Sequence, residues 1–140
     1  MSSRAGVNEI LPGQLYQRGN FLAWPAAQKH EMLKELGIDL VLNVWLKVDP
    51  DLSGMMYLNV PLLSRSVPPA FDYVCRAVAA SILKGHVALV HCEAGKNRSV
   101  FACARIVMLL NKWSADQAMD YVLQRVPNAK VNDHLLEFSA

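Results

Sequence analysis

The chain has 140 residues, 53% of them apolar, and carries a formal charge of +2 at pH 7. That length suits a single domain over residues 1–140 with one core, and that apolar fraction excludes a disordered chain. The near-neutral balance lacks the strongly basic character of a dedicated nucleic-acid binder, though it leaves room for a local basic pocket.

In chain order, VNEILPGQLYQRG predicts two short strands around a Pro12-Gly13 turn. Pro25 suits a first helical position and Gly37 a helix stop, which places a helix over residues 26–36. IDLVLNV reads as a buried strand because its apolar residues are nearly continuous. The polar loop LKVDPDLSG separates it from a second apolar strand, MMYLNV. Phe71, Val74, Val78 and Ile82 recur at helical spacing, and Gly85 ends that helix. VALVH is a third core strand. The segment 99–110 after it is apolar on nearly every face, as for a helix in the domain centre, and Arg105 interrupts it as a membrane span. Ser114 with Gln117 forms a capping-box signature for a helix through about residue 125. A last short helix is expected over residues 133–138.

Strands alternating with helices predict an α/β fold: a central, mostly parallel sheet of four to five strands with helices packed on both faces. The binding crevice of such a sheet lies at the carboxyl ends of its strands. The opening MSSRAGVNEI lacks the apolar core of a signal peptide. Three cysteines, Cys75, Cys92 and Cys103, cannot all pair, and none forms a C-x-x-C. This argues against a disulfide scaffold and a zinc site, and for a reducing, cytoplasmic setting. A monomer without metal or cofactor is expected.

Cys92 falls at the end of a core strand in ALVHCEAGKNRSVFA. The strand, a mid-loop Gly95 and the buried helix beyond Ser99 together predict a tight loop at a helix N-terminus. Unpaired amides and the positive end of the helix dipole make such a loop an anion site. That field, with Arg98 and His91 nearby, favours the thiolate of Cys92. Arg98 offers a planar fork for two phosphate oxygens. Thiolate, amides and fork together suit attack on phosphorus, with a cysteinyl-phosphate that water then hydrolyses. Ser99 is placed to hydrogen-bond the sulfur as it leaves. Cys75 and Cys103 lie on apolar helices and are expected in the core; whether either pairs with Cys92 stays open.

HCEAGKNRS resembles the His-Cys-x5-Arg-Ser/Thr signature of the cysteine-dependent protein tyrosine phosphatases, and the size and element order resemble the dual-specificity subgroup. The resemblance extends through LYQRG, GIDLVLNV, YLNVPL and VPNAKVNDHLLEF. It implies a hydrolase acting on phosphotyrosine, and on phosphoserine or phosphothreonine, in a phosphorylated protein or peptide. By the resemblance Cys92 is the nucleophile, and Arg98 binds phosphate and stabilises the transition state. The backbone of Glu93, Ala94, Gly95, Lys96, Asn97 and Arg98 cradles the oxygens, His91 tunes the thiol, and Ser99 assists hydrolysis.

One departure stands out. The family's aspartate acid, counted from Tyr57, falls on Ser64. Asp49 or Asp51 swinging over the site would replace it. Asp72 is a weaker candidate because it starts a helix, and Glu93 is expected to point outward. Alternatively, the leaving group needs no proton, as in phosphoanhydrides and the related RNA 5′-triphosphatases. Lys96 resembles the Gly-Lys-x-Arg loops of relatives acting on inositol phosphates, where it would bind a second phosphate. A slow enzyme, or a pseudo-phosphatase that binds phosphorylated ligands, completes the alternatives.

Overall fold

A hairpin opens the fold. Strands β1 (Asn8–Leu11) and β2 (Leu15–Arg18) run antiparallel around the expected turn, where the Gln14 N–H donates to Leu11 O at 2.9 Å. The structure is a computed structural model that describes residues 6–52, 54–62 and 67–130. The helix expected over 133–138 and the Ser64 position lie outside these residues.

Helix α1 (Ala26–Glu35) follows Pro25, whose fixed φ suits helix entry and whose carbonyl accepts from the Gln28 and Lys29 amides. It closes where the Gly37 amide donates to Lys34 O and the Ile38 amide to Leu33 O, the paired bonds of a glycine-terminated helix. Strands β3 (Leu40–Asn43), β4 (Met56–Asn59) and β5 (Ala88–His91) complete a five-stranded sheet in the order β1-β2-β5-β3-β4. Every pairing except β1–β2 is parallel. The sheet is therefore mixed but mostly parallel, as expected. MMYLNV does form a strand, but at the sheet edge, where Met56 is 42% exposed.

Alternation along the strands sorts the helices. Leu15, Leu40, Leu42, Ala88 and Val90 face α2 (Ala70–Leu83), α3 (Arg98–Asn111) and α4 (Ala115–Leu123). Tyr16, Val41 and Leu89 face the other way, against Phe21 and the Met32, Leu33 and Leu36 side chains at α1. The long helix α3 lies in the middle, with Phe101 stacked on Phe71 of α2 at 5.3 Å between ring centres. Cys75 and Cys103 are free thiols within this core, and burial pushes both thiol pKa values up. The capping box forms as read: Ser114 Oγ accepts from the Gln117 amide and Gln117 Oε1 from the Ser114 amide. The helix ends at Leu123, and the Gln124 and Arg125 amides still donate to Asp120 O and Val122 O, which carries the turn to about residue 125. Tyr121 OH donates to Ile10 O at 2.8 Å and ties α4 to the hairpin.

The parallel register matters most at the strand ends. Arg18, His91 and Asn43 align across β2, β5 and β3 at one level of the sheet. The chain leaves β5 from this level into the Cys92 loop.

Candidate active site

The loop from Cys92 to Asn97 turns directly into α3. Gly95 has φ +73°, and a Cβ built on it would lie 2.5 Å from the Gly19 amide nitrogen and 2.9 Å from Gly19 Cα. Only glycine meets both demands. Gly19 mirrors this contact, since a Cβ there would sit 3.0 Å from the Ala94 carbonyl carbon. Two backbones thus touch without side chains between them. The segment after β2 holds the loop elsewhere too: the Asn20 amide and Asn20 Nδ2 both donate to Glu93 O at 2.9 Å.

A hollow of about 140 Å³ opens here, lined by Cys92, Glu93, Ala94, Lys96, Asn97 and Arg98. Six of the expected site residues therefore come together. Gly95, His91 and Ser99 do not reach that lining; they lie buried behind it and act on Cys92. The Gly95 amide donates to Cys92 Sγ at 3.3 Å, and Sγ lies 3.1 Å from Ser99 Oγ. Ser99 touches the sulfur directly, whereas His91 reaches it only through the backbone of Cys92. Glu93 is exposed, in keeping with the outward carboxylate expected of it.

His91 is fully buried between two oxygens. Nδ1 faces Cys92 O at 3.3 Å, and Nε2 lies 2.6 Å from Asp49 Oδ2. Phe21 meets the imidazole edge-on at 5.1 Å. Asp49 is itself buried and accepts from Tyr57 OH at 3.0 Å and from Asn43 Nδ2 at 3.2 Å. Burial, together with the Asp49 carboxylate, holds the Tyr57 hydroxyl above its ordinary pKa, so it remains a proton donor in this network.

These contacts overturn the swinging-acid expectation. Asp49 holds the His91 imidazole and does not line the hollow, and its side chain is 1% exposed. Asp51 pairs with Lys29 at 2.7 Å, an ammonium that α1 buries to 1% exposure. Asp72 is held by Arg76 and Arg105; burial raises its pKa, but these partners outweigh that and keep it below the usual carboxylate range. A general acid needs the opposite shift. Among the described residues Glu93 is the one carboxylate lining the hollow. Asp51→Ala is expected to lower stability by about 1–2 kcal/mol, because it strands a buried ammonium beside a half-exposed partner site, while phosphate release stays within twofold. Urea unfolding and phosphate release together check this; lost activity at unchanged stability would return Asp51 to the acid role.

Two polar residues escape sequence periodicity. Gln17 is fully buried, and its Nε2 donates to Gly95 O and Ser99 Oγ, both at 2.8 Å. A signal for it existed: Gln17 shares its strand face with Leu15, which points into the core. Arg18, on the other face, is also mostly buried. It stacks over Trp24 at 4.4 Å, and burial lowers its pKa.

Residues 21–138 match the family described as dual specificity phosphatase, catalytic domain. Human dual specificity protein phosphatase 22 is 32% identical over 120 residues, covering 84% of this chain and 62% of that protein. Mouse dual specificity protein phosphatase 12 is 32% identical over 139 residues, covering 94% of this chain and 40% of that protein. The chain thus spans less than two thirds of the length of these relatives. The crystal structure of DUSP15 superposes with a TM-score of 0.77 at 26% identity, over 96% of this chain and 87% of that one. Human DUSP28 gives 0.79 at 23% identity, over 96% and 92%. No helix among the described residues is long and apolar enough to cross a membrane. Since the family match covers β3, β4 and β5, the Cys92 loop and all four helices, the chain belongs to the dual specificity phosphatase catalytic-domain family.

Proposed function

We propose that the chain hydrolyses phosphate monoesters, phosphotyrosine in proteins or peptides foremost, through a cysteinyl-phosphate on Cys92. The observation that carries this is the sulfur of Cys92, held by the Gly95 amide and Ser99 in a hollow that Arg98 lines. A phosphoryl group seated there meets the N-terminus of α3, the loop amides and the Arg98 fork, which suit its oxygens in the ground and transition states. Sulfur attacks phosphorus as the ester oxygen departs. Water then takes the phosphoryl group from sulfur.

The carboxylates favour phenolic esters. Asp49, Asp51 and Asp72 are committed elsewhere, and residues 63–66 are Leu-Ser-Arg-Ser. A tyrosine oxygen, with a pKa of about 10, leaves without a proton far more readily than a serine or threonine alkoxide. We expect rates that rise steeply as leaving-group pKa falls, read as phosphate release from a series of aryl phosphates. A flat dependence would show that an acid operates and would reopen phosphoserine and phosphothreonine.

A second reading rests on Lys96, which lines both this hollow and an adjoining one of about 400 Å³ that includes Arg18. Two cations near one site suit a substrate with a second phosphate, such as an inositol phosphate. A panel of phosphotyrosine peptide, phosphothreonine peptide, triphosphorylated RNA and inositol phosphates, run under one condition, separates these readings. Binding of phosphorylated ligands without release of phosphate from any of them would identify a binding module.

A further inference from the structure

We infer that Gln17 is a positioning residue for the second chemical step, acting through Ser99; the inference rests on the phosphatase reading above. Its amide has one orientation. Asn8 Nδ2 donates to Gln17 Oε1 at 2.8 Å, and Gly95 O can only accept, so Nε2 must face the loop. From there it donates at 2.8 Å to Gly95 O and also to Ser99 Oγ.

The consequence lies in a single proton. A serine hydroxyl has one hydrogen and two lone pairs. Gln17 occupies one lone pair, so the hydroxyl hydrogen turns away from Gln17, and the sulfur of Cys92 stands 3.1 Å from the oxygen. While Cys92 is a thiol, its S–H donates to the remaining lone pair. Once the sulfur bears negative charge, the hydroxyl hydrogen donates to it instead.

That charge returns to sulfur in the second step. Water oxygen bonds to phosphorus, the P–S bond breaks with its electron pair on sulfur, and both water hydrogens leave with the phosphate as dihydrogen phosphate. The Ser99 hydrogen bond strengthens as the P–S bond breaks, so it speeds this step in particular. Gln17 contributes by holding the hydroxyl in the donating orientation. Its own atoms lie behind the loop and do not touch the phosphoryl group.

Gln17→Met keeps the length and removes the donor. Turnover of an aryl phosphate is expected to fall about tenfold, equivalent to one well-placed hydrogen bond. At the same time the fraction of chain trapped as cysteinyl-phosphate, measured by intact mass after acid quench, should rise. A merely structural role would lower turnover without that rise. Gln17→Glu, nearly isosteric, places a carboxylate where it accepts the Ser99 hydrogen and repels Gly95 O. Its defect should be greatest near neutral pH and ease in acid, where a protonated carboxyl can donate again. This variant also carries the test if Gln17→Met fails to fold.

Adding Gln17→Met to Ser99→Ala should slow turnover no further than Ser99→Ala alone. Additive losses, or slowed turnover without trapped intermediate, would overturn the role of Gln17. A parent chain that releases no phosphate from the aryl ester would sink the phosphatase reading, and this inference with it.

Discussion

Cys92→Ser is expected to lower phosphate release on the order of 10³-fold or more, because an alcohol is a far weaker nucleophile near neutral pH than a thiolate. The fold should survive. Oxygen takes the place of sulfur at the base of the loop, where the Gly95 amide at 3.3 Å and Ser99 at 3.1 Å remain as partners. No disulfide is lost with the sulfur, since all three cysteines are free. Thermal unfolding should shift by no more than a few degrees, as for a substitution within about 1 kcal/mol. Inorganic phosphate should still raise the unfolding temperature, since the hollow and Arg98 are intact. Full activity in this variant would refute Cys92 as the nucleophile.

Asp49→Ala carries the largest expected effect on stability, a loss of about 3–5 kcal/mol. The carboxylate accepts from three buried or half-buried groups: His91 Nε2 at 2.6 Å, Tyr57 OH at 3.0 Å and Asn43 Nδ2 at 3.2 Å. Alanine strands His91 Nε2 and Tyr57 OH, while Asn43 Nδ2 keeps Lys47 O and Tyr57 OH, and each stranded donor costs its own desolvation. His91, released on one side, would no longer be held against Cys92 O, so activity should fall with stability. Urea unfolding measures the first effect and aryl phosphate turnover the second. A swinging acid predicts the opposite pattern: full stability, with loss confined to substrates whose leaving groups need a proton.

The elements were legible in the sequence because each announces itself locally. Pro25 and Gly37 bracket α1, Ser114 and Gln117 cap α4, and the unbroken apolar runs of β3 and β5 mark strands buried on both faces. The nucleophile was legible for the same reason, since strand, loop and helix N-terminus are contiguous around Cys92. What escaped was pairing across the sheet. Asp49 and His91 are 42 residues apart, and Gln17 and Ser99 are 82 apart. No periodicity within one element reports such a partner. Asp49 misled further because its loop is polar in composition, which reads as solvated, whereas the chain folds it under β5. The burial of Lys29 has no local signal either, since only the fold brings Asp51 beside it.

The contact between Gly19 and Gly95 has a consequence for how the molecule tolerates change. Most crowded positions in a protein can be rescued by trimming the neighbour, a large side chain on one partner offset by a small one on the other. Here a new Cβ on Gly95 would meet the nitrogen and Cα of Gly19, and a new Cβ on Gly19 would meet the carbonyl of Ala94. Neither partner has anything to give up. A substitution at Gly95 is therefore without a compensating second substitution at its contact, while one at Gly19 asks the loop backbone to give by a few tenths of an ångström, so the joint between the first hairpin and the phosphate loop is fixed chiefly from the Gly95 side.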